Sequence, residues 1–264
     1  MIFYRGCTAL ITGASAGLGT EFAHQLAPYA ARLILVARRL DRLQDLKGEL
    51  EENHPHLQVF TYALDVTSSA DTDTFFQWLN NDSGLRVNVL INNAGLGDHG
   101  DFETSDWSRI QSMIDVNITA LTRFSHRLIP QLRHVGQGAV LNVSSVAGLL
   151  PIPSMAVYAA TKAYVNSLSE SLRVELRGSG VSVTALCPGP VDTEFGSVAK
   201  REVGEGHAAP EIFKVRAEQV VREGLEAAAA GRARVIPGLL VAVVLTVAST
   251  IPIYILRHFL KSRN

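Results

Sequence analysis

Tyr158 and Lys162 stand four residues apart in Tyr158-Ala-Ala-Thr-Lys162, a spacing that puts a phenol and an ammonium on one helix face, one turn apart. A phenol ordinarily loses its proton near pH ~10, and a positive charge within ~4–6 Å favours the phenolate and draws that value toward neutrality. A tyrosine so placed can give and take protons. Standing alone, the pair is equally an aromatic and a lysine on an ordinary helix, so its meaning depends on what surrounds it. Thirteen residues earlier, Ser145 follows the apolar run Ala139–Val143 and offers a strand-end hydroxyl that can polarise a carbonyl. Ser144 competes for that role, and either serine can instead be a turn or cap residue. Asn117 falls on the apolar stripe Ile110, Ile114, Leu121, Phe124 and Leu128 of a helix expected over Trp107–Leu132. Burying its amide without partners would cost ~1–3 kcal/mol, so it either knits the core or holds water for a proton path.

The elements that must position these groups read as alternating strands and helices. Cys7–Ile11 is a short β-prone run leading into Thr12-Gly-Ala-Ser-Ala-Gly-Leu-Gly19, after which Leu18, Phe22 and Leu26 recur at helical spacing. Gly13, Gly17 and Gly19 remove side chains where a pyrophosphate would approach backbone N–H groups at a helix N-terminus. Their spacing is G-x-x-x-G-x-G rather than the G-x-G-x-x-G of the usual dinucleotide fingerprint, so a glycine turn with no ligand stays open at this point. The second strand, Leu33–Ala37, ends where an acid for a ribose 2′-hydroxyl is usual. Ala37, Arg38 and Arg39 stand there instead. A guanidinium suits a 2′-phosphate, which favours NADP over NAD, against the alternative of a solvated helix start.

Val59–Leu64 is a third strand, with Asp65 and Val66 at the edge where an adenine would lie; Asp65 can equally cap the next helix. Val87–Ile91 is a fourth, running into the amide-rich turn Asn92-Asn-Ala-Gly95, whose asparagines read mainly as architecture. Ala139–Val143, Val181–Leu186 and Arg234–Pro237 complete a set of seven. The helix from Ala156 carries Val165, Leu168, Leu172 and Leu176 on one stripe, with Ala163, Ser167 and Ser171 elsewhere. Those small residues motivate a homodimer, or a homotetramer, with the helices of Trp107–Leu132 and Ala156–Arg177 at the interface. Residues 190–215 are expected to form an irregular loop over the substrate.

At 264 residues and 47% apolar composition the chain can bury a full core, and a formal net charge of -1 carries no footprint for nucleic acid. Cys7 and Cys187 lie in apolar runs, as buried thiols of a reducing compartment do, so the cytoplasm is the expected address. No metal site is expected, because His54-Pro-His56 lacks acidic or cysteine partners at ligand spacing. Residues 1–237 are read as one catalytic domain and 238–264 as a hydrophobic C-terminal segment. Val235–Leu256 has no charged residue over twenty-two positions, long enough to span a membrane, yet Pro237, Gly238 and Pro252 interrupt it. Spanning, lying on a membrane surface, and packing against the domain or a second copy all remain open.

Taken together, Thr12–Gly19, Asn92–Gly95, Asn117, Ser145, Tyr158, Lys162 and Pro188-Gly189 resemble the short-chain dehydrogenase/reductase family, over about Cys7 to Thr193. Asn92–Phe102 and Val235–Gly238 look most like its bacterial DltE-like members. The resemblance implies a single α/β, Rossmann-type doubly wound domain, with a seven-stranded parallel sheet, helices on both faces and NAD or NADP at the strands' carboxyl ends. It implies Tyr158 as general acid/base, Lys162 lowering its pKa and holding the nicotinamide ribose, Ser145 steadying the substrate oxygen and Asn117 completing a proton relay. Gly13, Ser15, Gly17 and Leu18 would meet the phosphates, Arg38 the 2′-phosphate, and Asp65 and Val66 the adenine. Asn93 and Gly95 would meet the ribose side, and Pro188, Gly189, Val191 and Thr193 the nicotinamide.

The leading expectation is therefore an NADP-dependent reductase or dehydrogenase of small carbonyls and secondary alcohols. Two others stand beside it: a dinucleotide-sensing protein without chemistry, and a membrane-associated reductase of lipid-like carbonyls.

Overall fold

Seven apolar runs of the sequence form one sheet: β1 (Thr8–Thr12), β2 (Arg32–Ala37), β3 (Gln58–Ala63), β4 (Val89–Asn92), β5 (Gly138–Val143), β6 (Val181–Leu186) and β7 (Arg234–Val235). The computed structural model describes residues 2–81, 85–199, 213–251 and 255. Strand order is β3-β2-β1-β4-β5-β6-β7, and every neighbouring pair is parallel. Parallel neighbours need a crossover, and helices supply it. In chain order these are α1 (Leu18–Leu26), α2 (Leu40–Asn53), α3 (Ser69–Asn81), α4 (Trp107–Ile114), α5 (Leu121–Val135), α6 (Ala156–Glu175), α7 (Glu194–Ala199), α8 (Ala217–Ala229) and α9 (Leu239–Thr250). The architecture is the Rossmann-type doubly wound sheet that the motifs implied.

The period of two along each strand divides the core between the sheet's faces. Ile11, Leu33 and Leu35 join Phe22, Leu26, Leu43, Leu50, Val220 and Leu225 on the face covered by α1, α2 and α8. Their neighbours Leu10, Ile34 and Val36 join Phe75, Phe76, Leu79, Phe124, Leu128 and Leu132 on the face covered by α3 and α5. Strands buried on both sides read as continuous apolar runs, which is why the sequence exposed them so plainly. Strand order reverses between β1 and β4, and the crevice outside their carboxyl ends is where such sheets take ligands. The glycine turn after β1 and the Asn92–Gly95 turn after β4 flank it.

Two elements depart from the sequence reading. The helix expected over Trp107–Leu132 is broken by a π-helical turn at Asp115–Ala120 and runs on to Val135, where Gly136 closes it with φ 71°. Such turns often lie at functional sites, and this one holds Asn117. The C-terminal apolar run forms a helix of 12 residues, α9, and Ile251 beyond it is extended. No helix among the described residues is long and apolar enough to cross a membrane. Pro252, Arg257 and Lys261 lie outside those residues, as does the 200–212 part of the expected substrate loop. α9 docks through buried Val241, whose Cγ1 lies 3.3 Å from where a Cβ on Gly189 would stand.

The N-terminal segment is anchored by Tyr4, fully buried, whose Oη donates to the Leu225 carbonyl at 2.8 Å. Burial pushes the Tyr4 phenol up, the Cys7 thiol from 9.0 to about 12, and the Cys187 thiol from 9.0 to about 11. Each acid therefore keeps its proton in the folded chain at a pH where the unfolded chain has lost it, so its stabilising contribution is complete below pH ~9 and disappears as pH rises through the folded value. We predict a loss of stability between pH 8 and 10.5 that is smaller in Cys7→Ala than in the wild type, measured by urea unfolding. An equal loss in both would show that the Cys7 thiol is not the source.

Candidate active site

Each catalytic candidate sits where a strand ends or a helix turns over the crevice. Tyr158 and Lys162 occupy the first two turns of α6, both buried, with the Lys162 Nζ 5.8 Å from the Tyr158 ring centroid. Lys162 Nζ donates to the Val143 carbonyl at the end of β5, at 2.9 Å. No carboxylate among the described residues pairs with it. Its helix is held against the β5 end by two close contacts. Ser144 Oγ donates to the Lys162 carbonyl at 3.0 Å, and Gly148 lies so near the Lys162 backbone that a Cβ would come within 2.5 Å of its carbonyl carbon.

This geometry separates the two serines. Ser144 is committed to the α6 backbone, whereas Ser145 Oγ accepts from Ala147 N at 3.1 Å and lies near enough to the Tyr158 phenol to favour its ionised form. The tyrosine's acidity departs from the sequence expectation. Burial pushes Tyr158 up to about 12, a rise that the nearby Ser145 hydroxyl only partly offsets. The same burial pulls Lys162 down to about 8. A shared helix face brought the two together, but desolvation, which penalises both charged forms, is the largest influence on each.

Asn117 resolves toward knitting. Its Oδ1 accepts from Leu96 N at 2.9 Å, and its Nδ2 donates to the Leu96 carbonyl at 2.8 Å and to Thr161 Oγ1 at 3.0 Å. Thr161 Oγ1 in turn donates to the Tyr158 carbonyl at 2.8 Å. Asn117 thus ties the loop after β4 to the turn of α6 that carries the tyrosine. A Cβ on Gly95 would stand 3.5 Å from both Asn117 Oδ1 and Lys162 Nζ.

The glycine turn is held from the side. Asn93 Nδ2 donates to the carbonyls of Thr12 and Gly13 at 3.0 and 3.1 Å, and a Cβ on Gly19 would come within 2.2 Å of the Gly13 oxygen. Gly17, at φ 57°, is the N-cap of α1 and makes no side-chain cap, so the first-turn N–H groups near Leu18 suit an anion. These features, with a buried ammonium whose partner among the described residues is a carbonyl, fit a dinucleotide along the crevice. Asp65 Oδ1 accepts from Thr67 N and Thr67 Oγ1 at 2.9 and 2.7 Å, so it shapes the turn before α3, and Ser68 caps that helix. Val66 is buried beside it.

Arg38 is exposed and its charge is felt at Asp65. Its neighbour Arg39 reaches back to the glycine turn, its Nε and Nη2 each 3.3 Å from Ser15 Oγ. Pro188 accepts from Val146 N at 3.0 Å, which ties the loop after β6 to the serine turn, and Val191 packs on the core. Thr193 lies against Gly17. Sequence reasoning missed the partners that α7 brings in. Glu194 pairs with Arg39 and Arg42, and the Phe195 ring lies 5.7 Å from that of Tyr158, over Gly97. These contacts join residues more than thirty positions apart, and no local pattern signals them.

The family model described as short chain dehydrogenase matches residues 7–203. A sulfoacetaldehyde reductase of Chromohalobacter salexigens is 42% identical over 211 residues, 77% of this chain and 79% of the relative. A short-chain dehydrogenase from Sphingobium yanoikuyae in complex with NADPH superposes with TM-score 0.79 at 32% identity, covering 98% of this chain and 96% of that one. One from Burkholderia phymatum in complex with NAD also gives TM-score 0.79, at 26% identity, over 93% and 94% of the two chains.

Because backbone rather than a flexible side chain faces Gly148, Gly148→Ala must push α6 away from β5. Overpacking of this kind costs roughly 1–3 kcal/mol, and we expect a Tm lower by several degrees together with a fall in kcat as Tyr158 shifts. An unchanged Tm and kcat would mean that α6 is not seated by that contact.

Proposed function

The chain belongs to the short-chain dehydrogenase family of nicotinamide-dependent oxidoreductases acting on CH–OH groups, and from that premise we propose that it is an NADP-dependent carbonyl reductase using Tyr158 as acid/base. The observation that carries this reading is the buried constellation of Ser145, Tyr158 and Lys162 at the carboxyl edge of β5, beside the crevice between β1 and β4. When bound, the cofactor supplies hydride to the carbonyl carbon. Tyr158 gives its phenolic proton to the carbonyl oxygen, and Ser145 Oγ hydrogen-bonds that same oxygen. Lys162 keeps donors beyond the one bound to Val143, which suit ribose hydroxyls, and its charge stabilises the negative charge that develops on the phenol as the proton leaves.

A phenol pushed up to about 12 by burial carries its proton at neutral pH, the form that can donate to a carbonyl oxygen. Asn117 acts as a positioning residue, since its amide protons are committed to Leu96 and Thr161. NADP is preferred to NAD because β2 ends in Ala37-Arg38-Arg39, where guanidiniums stand in place of the acid that would bind a ribose 2′-hydroxyl. Gly13, Ser15, Gly17 and Leu18 would hold the pyrophosphate, and Pro188, Gly189, Val191 and Thr193 the nicotinamide. The working assembly is a homodimer or homotetramer packed through the outer face of α6, where Ala163, Ser167 and Ser171 are exposed. Residues 1–237 serve as the catalytic domain of a cytoplasmic enzyme.

A second reading concerns the C-terminal segment. Leu239, Val243 and Val247 are each more than half exposed on α9, which favours this helix lying on a membrane surface and the substrates being lipid-like carbonyls.

Tyr158→Phe should lower carbonyl reduction by roughly 10²–10⁴-fold, the scale of a lost general acid, while NADPH still binds by fluorescence titration. Retained turnover would remove Tyr158 from the chemistry.

A further inference from the structure

α7 closes over the crevice and is fastened at its first residue. Glu194 Oε1 lies 2.7 Å from Arg42 Nη1, and its Oε2 lies 3.2 Å from Arg39 Nη1. Arg39 simultaneously grips Ser15 of the glycine turn through Nε and Nη2. The guanidinium therefore bridges the phosphate-facing turn and α7, at the end of β2 where a ribose 2′-substituent would lie. Two guanidiniums facing one carboxylate leave an excess positive charge. A phosphate monoester, with nearly two negative charges and three acceptor oxygens, satisfies that pair better than a carboxylate does.

We propose that Glu194 is an internal competitor for the 2′-phosphate of NADP, holding Arg39 and Arg42 in the free protein and giving them up when the phosphate arrives. Glu194 is thus a specificity-determining residue, one that lowers the advantage of NADPH over NADH rather than creating it. Its neighbour Phe195 covers Tyr158, and Thr193 sits against Gly17, so displacing Glu194 releases the segment that shields the catalytic tyrosine. Binding of a 2′-phosphate and uncovering of Tyr158 are then one event. The inference rests on the NADP reading above, and it adds a carboxylate that no cofactor motif contains.

The test is a fluorescence titration of NADPH and NADH with the full chain, as wild type, Glu194→Gln and Arg39→Gln. Glu194 is half-exposed, so the glutamine variant should fold, which circular dichroism checks. Glu194→Gln should tighten NADPH by about threefold or more, the scale of one or two exposed ion pairs, with NADH moving less than about twofold. Arg39→Gln should weaken NADPH selectively. If Arg39→Gln does so while Glu194→Gln leaves the NADPH/NADH ratio unchanged, or weakens NADPH, the competition is refuted and the NADP reading stands. If neither the wild type nor Glu194→Gln binds NADPH more tightly than NADH, the cofactor reading fails and takes this proposal with it.

Discussion

An ammonium buried with no carboxylate beside it among the described residues is the constraint around which this structure is arranged. Moving such a charge out of water costs several kcal/mol even after relaxation, and Lys162 recovers only part of that through the Val143 carbonyl. The fold tolerates the deficit because α6 is seated on the β5 end by Ser144 and by the absent side chain of Gly148. The same burial sets the chemistry available. It holds Tyr158 protonated well beyond neutral pH and brings Lys162 to about 8, close to where a proton can be exchanged. A solvent-exposed tyrosine and lysine at the same spacing would have neither property.

The polar interior beneath the crevice serves the same end. Asn92 Nδ2 donates to Ser125 Oγ and Asn142 Oδ1, and Asn142 Nδ2 donates to Ser169 Oγ, which ties β4 and β5 to α5 and α6. Asn93 and Thr12 do the same between β1 and the loop after β4. Buried amides bonded in this way fix strand ends more rigidly than apolar packing, because each bond has a direction as well as a distance, although the buried Asn92 Oδ1 finds no partner among the described residues. The chemistry-bearing turns are thereby held at one edge of the sheet.

Much of this was legible from residues alone. The strands stood out because sheets covered on both faces need uninterrupted apolar runs, and the glycine turn, Asn117, Ser145, Tyr158 and Lys162 carried recognisable spacings. What was not legible depended on distance or on burial. The Glu194 pairing spans 155 residues to Arg39, and the π-helical turn at Asn117 leaves no mark in the periodicity of the stripe around it. Spacing placed a cation beside the phenol, but only the fold reveals that desolvation is what sets the phenol's acidity. The apolar C-terminal run read as long enough to span a membrane, whereas α9 ends at Thr250, and Ile251, just before Pro252, is already extended, as a residue preceding proline tends to be.

The central claim, that burial rather than a neighbouring charge governs the Tyr158 and Lys162 pair, is tested most directly by titrating Lys162 itself. Lysine labelled with carbon-13 at Cε, followed by NMR from pH 6 to 11 and assigned by comparison with Lys162→Met, should show one resonance with a midpoint near 8. A midpoint close to 10.5, the ordinary lysine value, would mean that the ammonium is solvated and that the account of this site is wrong.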